Sequence, residues 1–194
     1  MIDRDAALAY LKEHLSEKRL RHSLGCAKTA AKLAVKFGAD VEKAYDTGLL
    51  HDITREICYE DQLKICAEYG IIVADEERVS AALLHAPTGA AVADKLFHPG
   101  ADVCSAIRWH TVAKPDMTPL EMSVCLADYI EPTRHFKTVE KLRETAARDV
   151  YRALLDALSG TIIHIVRDGE PLCTQTVRAR NWLLQTVTGN RGVT

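Results

Sequence analysis

Four polar features of this 194-residue chain are not explained by the packing of apolar helices. His22 lies within an amphipathic segment, and His51 and Asp52 follow two leucines in LLHDITR. His110 follows Trp109 at the end of a mainly apolar helical segment, and Asp128 lies in the apolar run VCLADYI. Imidazoles and carboxylates together form a mixed nitrogen and oxygen ligand set that suits Fe²⁺, Mn²⁺ or Zn²⁺ and leaves positions open for water and substrate. The residue types therefore indicate a divalent metal site.

Each of these residues has a plainer interpretation when it is taken alone. Asp128 could lie on a partly exposed face or cap a neighbouring helix, because a buried carboxylate needs partners. His51 and Asp52 point about 100° apart on a helix, so both reach one ion only if it lies near the helix end. The remaining histidines lie in no comparable setting and are interpreted as surface or core residues; they are His14, His98, His135 and His164.

The elements that must position these residues are predicted to be helices, because nearly every segment carries helical signals. Asp3 or Asp5 is a suitable N-cap for a first helix, and Ser16 and Asp40 for the next two. Gly38 is a natural end for the second helix. Apolar residues between these caps recur at steps of three and four, which is the spacing of an amphipathic helix.

The strongest helix start lies before the segment that contains Asp128. Thr118 is a suitable N-cap, Pro119 fits the first helical position, and Glu121 completes a capping box. Pro132 is expected to end this helix. Further helices are predicted around residues 139–147, 149–166 and 175–187, and the β-branched run TIIHIV is interpreted as part of the second of these.

Pro87 is predicted to interrupt the helix in VSAALLHAPTGAAVADKLF, because proline disfavours helical backbone at the residue before it. His85 would then lie at the end of one helix. Few strand signals and no fixed-period repeat are present. The sequence therefore predicts an all-α fold, with residues 1–194 forming a single globular domain.

The composition is that of an ordinary soluble globular protein, with 47% apolar residues, 27% charged residues and a net charge of −2. This balance argues against a surface that binds duplex nucleic acid. No secretory signal or membrane-spanning stretch is expected. The six cysteines are scattered singly, which favours reduced thiols in a cytoplasmic protein. The sequence leaves a homodimer open.

The order His22, His51–Asp52, Asp128 resembles the H…HD…D pattern of HD-domain metal-dependent phosphohydrolases. A wider resemblance is to the YqeK family, carried by the blocks RHSLGCAKTAAKLA, LLHDITR, LLHAPTGA, AIRWHT, LADYIEPTR and TVRARNWLL. It implies a helical HD domain whose C-terminal helices complete a nucleotide site. It also implies symmetrical cleavage of diadenosine tetraphosphate and related dinucleoside polyphosphates into two ADP, with Fe²⁺ as the metal and Mn²⁺ or another divalent ion as the alternative.

The resemblance assigns roles residue by residue. The metal positions are His22, His51, Asp52 and Asp128. His85 and His110 fall on further histidines that contact phosphate or a second metal, and with Asp52 they are the candidate catalytic residues. The candidate substrate-binding residues are Arg55, His85, His110, Thr111, Arg134, Thr174, Thr176 and Arg180.

The chain departs from the family pattern at two places. Arg55 stands where the family usually carries a lysine, so a planar guanidinium replaces an ammonium. Cys173, Thr174 and Gln175 stand where a His-Pro-Asp run is expected, which could change base or phosphate preference. Three other functions remain open: an HD-type nucleotidase or phosphodiesterase on other nucleotides, a nucleotide-binding regulatory module without turnover, and a helical interaction scaffold.

Overall fold

The computed structural model describes residues 1–189, apart from the side chains of residues 79 and 81. Within this part the chain forms ten α-helices, one short 3₁₀ helix (Glu77–Val79) and no β-strand, so the predicted all-α fold class is confirmed. The helices are α1 (Arg4–His14), α2 (Glu17–Phe37), α3 (Val41–Leu50), α4 (Tyr59–Glu68), α5 (Ala81–Phe97), α6 (Ala101–Trp109), α7 (Pro119–Ile130), α8 (Val139–Arg148), α9 (Val150–Asp168) and α10 (Thr174–Thr188).

The predicted N-caps of four helices are confirmed by hydrogen bonds between side chains and backbone. The Asp3 carboxylate accepts the backbone N–H groups that begin α1, and Ser16 and Asp40 cap α2 and α3 in the same way. Thr118 and Glu121 form the reciprocal capping box at the start of α7, where each side chain accepts the other residue's backbone N–H. These bonds satisfy donors that a helix leaves unpaired at its first turn.

The break predicted at Ala86 is wrong, because α5 runs continuously from Ala81 through Pro87 to Phe97. Pro87 cannot donate to the carbonyl four residues earlier. Hydroxyl groups bind the next two carbonyls of this turn. Thr88 Oγ1 donates to the Leu84 carbonyl and Thr54 Oγ1 donates to the His85 carbonyl, each at 2.8 Å. Thr54 belongs to the segment after α3, so this bond ties the turn that contains the proline to a residue distant in sequence.

The centre of the fold is the packing of α2 against α3 and α7. Small buried residues of α2, including Ala27 and Ala30, let the neighbouring backbones approach closely. The approach is tightest at Gly48 of α3, where an added Cβ would lie only 2.7 Å from Ala27 Cα. This contact fixes the distance between α2, which carries His22, and the end of α3, which precedes His51.

The C-terminal part of the described chain is helical as predicted, and TIIHIV lies within α9. Asp149 caps α9, which packs against α7, α8 and α10. Ile163 and Val166, near the end of α9, are exposed. Within residues 1–189 no helix is long and apolar enough to cross a membrane.

Candidate metal centre

Three of the predicted metal ligands meet from three different helical segments. His22 comes from the first half of α2, His51 from the C-cap of α3, and Asp128 from the last turn of α7. His22 Nε2 lies 3.0 Å from Asp128 Oδ1 and 3.2 Å from His51 Nε2. Both histidines are buried, and the Asp128 side chain is 19% exposed. The α2–α3–α7 packing therefore assembles one compact group of nitrogen and oxygen donors.

Asp52 lies between this group and a second pair of histidines. Its Oδ2 atom is 3.5 Å from His22 Nε2 and 3.4 Å from His51 Nε2. Its Oδ1 atom faces the other way, 3.2 Å from His85 Nε2 and 3.9 Å from His110 Nε2. The two sets His22, His51, Asp128 and His51, Asp52, His110 each have donor atoms within 4.8 Å of one another. One carboxylate thus faces two adjoining sets of ligands.

Four rings have fixed orientations because each Nδ1 atom has an acceptor. Three bind the carbonyl three residues earlier: His51 to Gly48 at 2.8 Å, His85 to Ala82 at 2.8 Å and His110 to Ile107 at 2.7 Å. With Nδ1 protonated, each Nε2 carries a lone pair directed at the cluster. Two such lone pairs cannot bond to each other, so the facing Nε2 atoms are compatible only with a cation between them, which is either a proton or a metal ion. The donor set therefore fits a divalent metal.

The carboxylates of the cluster are held in their ionised form. Burial alone would raise the pKa of Asp52, but His51 beside it brings that pKa well below its usual range. Burial of Asp128 is likewise outweighed, chiefly by the hydrogen bond with His22, and its pKa is also well below the usual range. Burial, together with His51, lowers the pKa of His110 to about 3, so this ring stays neutral. His51 is the exception: burial would lower its pKa, but Cys26, Asp52 and Asp128 around it raise that pKa well above its usual range. A metal ion bound here would replace the proton on His51, because ionised carboxylates and neutral imidazoles are the forms that bind metal.

Two arginines approach the carboxylates from outside the cluster. Arg19 Nη1 donates to Asp52 Oδ2 at 2.7 Å, and the guanidinium of Arg134 pairs with Asp128 Oδ1. Arg134 Nε also donates to the backbone carbonyl of Asp128 at 2.6 Å. Arg19 was not singled out from the sequence, although its position one helical turn before His22 is a signal that could have found it.

A second residue missed from the sequence is Glu131, which directly follows α7. Its carboxylate is fully buried and its Oε1 atom accepts from His22 Nδ1 at 2.9 Å. The signal was its spacing: Glu131 lies three residues after Asp128, so both face the same side of the chain.

Other predicted site residues lie at varying positions around this centre. Thr111 joins the cluster, with its Oγ1 atom 3.0 Å from His110 Nε2 and 3.3 Å from His85 Nε2. Arg55 is partly buried three residues after Asp52. In the part of the chain that the structure describes, no carboxylate lies within ion-pair distance of Arg55.

The predicted substrate residues of α10 bond elsewhere within residues 1–189. Thr174 donates through its hydroxyl to Glu76 Oε1 at 3.0 Å, and Arg180 donates to Ser159 Oγ at 3.3 Å. Thr176 is buried at the start of α10. None of these hydrogen bonds reaches the histidine cluster, so a substrate role for these three residues stays a prediction.

Comparison with known proteins places this geometry in a family. The HD-domain family model matches residues 19–133, which include every residue of the cluster. The symmetrical bis(5'-nucleosyl)-tetraphosphatase of Bacillus subtilis (strain 168) is 34% identical over 191 residues, covering 94% of this chain and 98% of that protein. The enzyme of the same name from Halalkalibacterium halodurans is 36% identical over 189 residues, with the same two coverages. The chain belongs to the YqeK family of HD-domain phosphohydrolases.

A solved structure supports the same assignment. The crystal structure of a predicted HD superfamily hydrolase involved in NAD metabolism, from Clostridium acetobutylicum, is 38% identical and superposes with a TM-score of 0.91. It covers 96% of this chain and 99% of that one. The YqeK-family chain is therefore similar to these proteins well beyond residue 133, where the HD match ends. HD domains bind divalent metal, and the cluster supplies a suitable donor set.

Proposed function

We propose that this chain hydrolyses diadenosine tetraphosphate and related dinucleoside polyphosphates symmetrically, giving two ADP from diadenosine tetraphosphate. The observation that carries the proposal is the single buried cluster in which His22, His51, Asp52 and Asp128 converge, with His85 and His110 beside it. Relatives that share about a third of its residues over nearly the whole chain bear the name of this activity.

The metal site of the proposal consists of His22, His51, Asp52 and Asp128. A divalent ion there would lower the pKa of a bound water and bind phosphate oxygens, which are the two requirements for hydrolysing an anionic phosphoanhydride. Fe²⁺ is the proposed ion, with Mn²⁺ as the alternative, because mixed imidazole and carboxylate ligation suits both. Asp52 also contacts both histidine pairs, so it can orient the attacking water while it holds the site together.

The remaining polar residues of the site would bind the substrate and leaving group. His110 is neutral, so it suits metal ligation or a hydrogen bond more than charge neutralisation. Positive charge would come from arginines at the edge of the cluster, namely Arg19, Arg55 and Arg134, which can pair with phosphate. Thr111 can donate its hydroxyl hydrogen to a phosphate oxygen.

The C-terminal helices are proposed to complete the nucleotide site as part of one domain spanning residues 1–194. Support comes from α9, which packs against both α7 and α10 and so links Thr176 and Arg180 to the helix of Asp128. A cytoplasmic location is also proposed, because all six cysteines are free thiols, as expected in a reducing compartment.

The direct test is product analysis with purified protein, Fe²⁺ under anaerobic conditions, and diadenosine tetraphosphate. The expected product is ADP alone, and a mixture of ATP and AMP would contradict symmetrical cleavage. A parallel panel of mononucleotides and cyclic nucleotides tests the nucleotidase and phosphodiesterase alternatives. Nucleotide binding without any metal-dependent product would instead indicate a regulatory module.

Asp52→Ala tests the ligand assignment, because it removes the carboxylate that faces both sets of ligands. Metal content and hydrolysis should fall together to background. Asp61→Ala is a matched control, since Asp61 is an exposed aspartate on α4 that pairs only with Lys64 and Cys58 in the described chain. Full activity in Asp52→Ala would exclude the proposed role of this residue.

A further inference from the structure

Glu131 is a buried carboxylate behind the metal cluster that the proposed mechanism does not use. Its side chain has no solvent exposure, and burying a carboxylate is costly unless hydrogen bonds compensate it. Compensation comes from two residues. His22 Nδ1 donates to Oε1 at 2.9 Å, while Thr133 donates its backbone N–H to Oε2 at 2.7 Å and its hydroxyl to Oε1 at 2.5 Å.

The surrounding chain is shaped to hold Glu131 in this place. A Cβ on Gly25, one turn after His22 in α2, would overlap Glu131 Oε2, so only glycine leaves room for the carboxylate. Arg143 of α8 donates to the backbone carbonyl of Glu131 at 2.6 Å and to that of Ile130 at 2.9 Å. The carboxylate is thus held by His22 and Thr133, while Arg143 fixes the backbone that carries it.

His22 differs in this respect from the other histidines of the cluster. His51, His85 and His110 direct Nδ1 at uncharged backbone carbonyls of their own helical turn. Only His22, among the described histidines of the cluster, directs it at a carboxylate. A carboxylate that accepts from the far nitrogen fixes the tautomer and increases electron density on the ligating nitrogen more than a carbonyl does.

We propose that Glu131 is a positioning residue that fixes His22 with Nε2 towards the cluster and strengthens it as a metal ligand, and that Gly25 is required for this arrangement. The inference rests on the proposed metal site. It adds to that site a carboxylate that does not itself bind the metal. A purely structural role, in which Glu131 only stabilises the turn after α7, makes a different prediction. That role would lower the stability of the fold when Glu131 is replaced but leave metal affinity unchanged.

The test is a titration with Mn²⁺ alone, followed by the electron paramagnetic resonance signal of free Mn²⁺, together with thermal unfolding of the metal-free protein. Glu131→Gln keeps the volume of the side chain and removes its charge, and it should weaken Mn²⁺ binding about 10- to 100-fold. Glu121→Gln is the matched control, because Glu121 is a buried carboxylate of α7, the helix that Glu131 follows, and it binds Ser105, Thr118 and Lys114 instead. Its Mn²⁺ affinity should equal that of the unsubstituted protein even where its stability falls.

Gly25→Ala keeps the proposal falsifiable if Glu131→Gln does not fold. The added methyl group displaces the carboxylate and should weaken Mn²⁺ binding in the same direction. Gly160→Ala is its control, because no atom lies within 4 Å of a Cβ added at that helical glycine. In a Glu131→Ala background there is no carboxylate to displace, so Gly25→Ala should then have little further effect on affinity.

The outcomes separate this inference from the function on which it rests. If the unsubstituted protein binds no Mn²⁺ and no Fe²⁺, the metal site itself is wrong and the inference falls with it. If the unsubstituted protein binds Mn²⁺ and Glu131→Gln binds it equally well, only the role of Glu131 is overturned. Where Glu131→Gln does not fold, equal binding by Gly25→Ala has the same meaning. Weaker binding in both variants, with both controls unchanged, supports it.

Discussion

Replacing Gly48 by alanine should loosen the metal cluster without touching any proposed ligand. The new Cβ would lie 2.7 Å from Ala27 Cα, 2.8 Å from Ala27 N and 3.0 Å from the Cys26 carbonyl carbon. These are backbone atoms of α2, so no side-chain rotation can relieve the overlap. The two helices must separate by about 0.7 Å or more to restore an ordinary contact of 3.4 Å.

The separation of the two helices reaches the cluster through His51. This residue lies three positions after Gly48, and its Nδ1 atom donates to the Gly48 carbonyl. The Nε2 atoms of His51 and of His22, on the other helix, are 3.2 Å apart. The helix separation is therefore a large fraction of the distance between these two atoms. A misplacement of about 1 Å can cost about 100-fold in activity. Overpacking a core of this kind costs about 1–3 kcal/mol, or about 2–12 °C in the melting temperature of a domain of this size.

The assay compares Gly48→Ala with Gly160→Ala in Mn²⁺ affinity, hydrolysis and thermal unfolding. Gly160→Ala introduces the same methyl group into a helix where nothing lies within 4 Å. We expect weaker metal binding, slower hydrolysis and a lower melting temperature in Gly48→Ala only. A lower melting temperature with unchanged Mn²⁺ affinity would show that α3 absorbs the overlap away from His51, and would refute the reasoning.

Two further substitutions separate local from active-site effects. Thr118→Ala removes the side-chain acceptor for the Glu121 N–H and should cost about 1 kcal/mol in denaturant unfolding; a loss of hydrolysis in the fully folded variant would contradict a purely capping role. Arg19→Ala removes a cation from Asp52, so Mn²⁺ affinity should not fall while KM rises about tenfold through a lost charge-assisted contact with phosphate. Weaker Mn²⁺ binding with unchanged KM would indicate that Arg19 supports the ligand set instead.

The sequence predicted those features of the fold that depend on short-range chemistry. The capping box of Thr118 and Glu121 needs only residues three apart, and the N-cap of Ser16 needs only the turn that follows it. The continuous helix through Pro87 could not be predicted in this way. In that turn the Thr54 hydroxyl reaches the His85 carbonyl from 31 residues away, a contact that the local sequence does not reveal.

In the candidate site, too, some residues could be predicted from the sequence and others could not. The H…HD…D pattern pointed to His22, His51, Asp52 and Asp128, which the structure brings together. Arg19 and Glu131 belong to no such pattern, because what makes them relevant is a contact across 33 or 109 residues of sequence. Their spacing from His22 and Asp128 indicates that they lie near the site, but a single sequence does not show which tertiary contact each of them makes.

The two glycines explain how polar residues so far apart can converge within an apolar helical core. His22 and His51 lie on adjacent helices, and their Nε2 atoms come within 3.2 Å because Gly48 lets α3 contact the backbone of α2. On the same helix as His22, Gly25 leaves the space that the Glu131 carboxylate fills. A side chain at either position would move a ligand or its partner. The geometry of the cluster therefore depends on the absence of two methyl groups as much as on the presence of the ligands themselves.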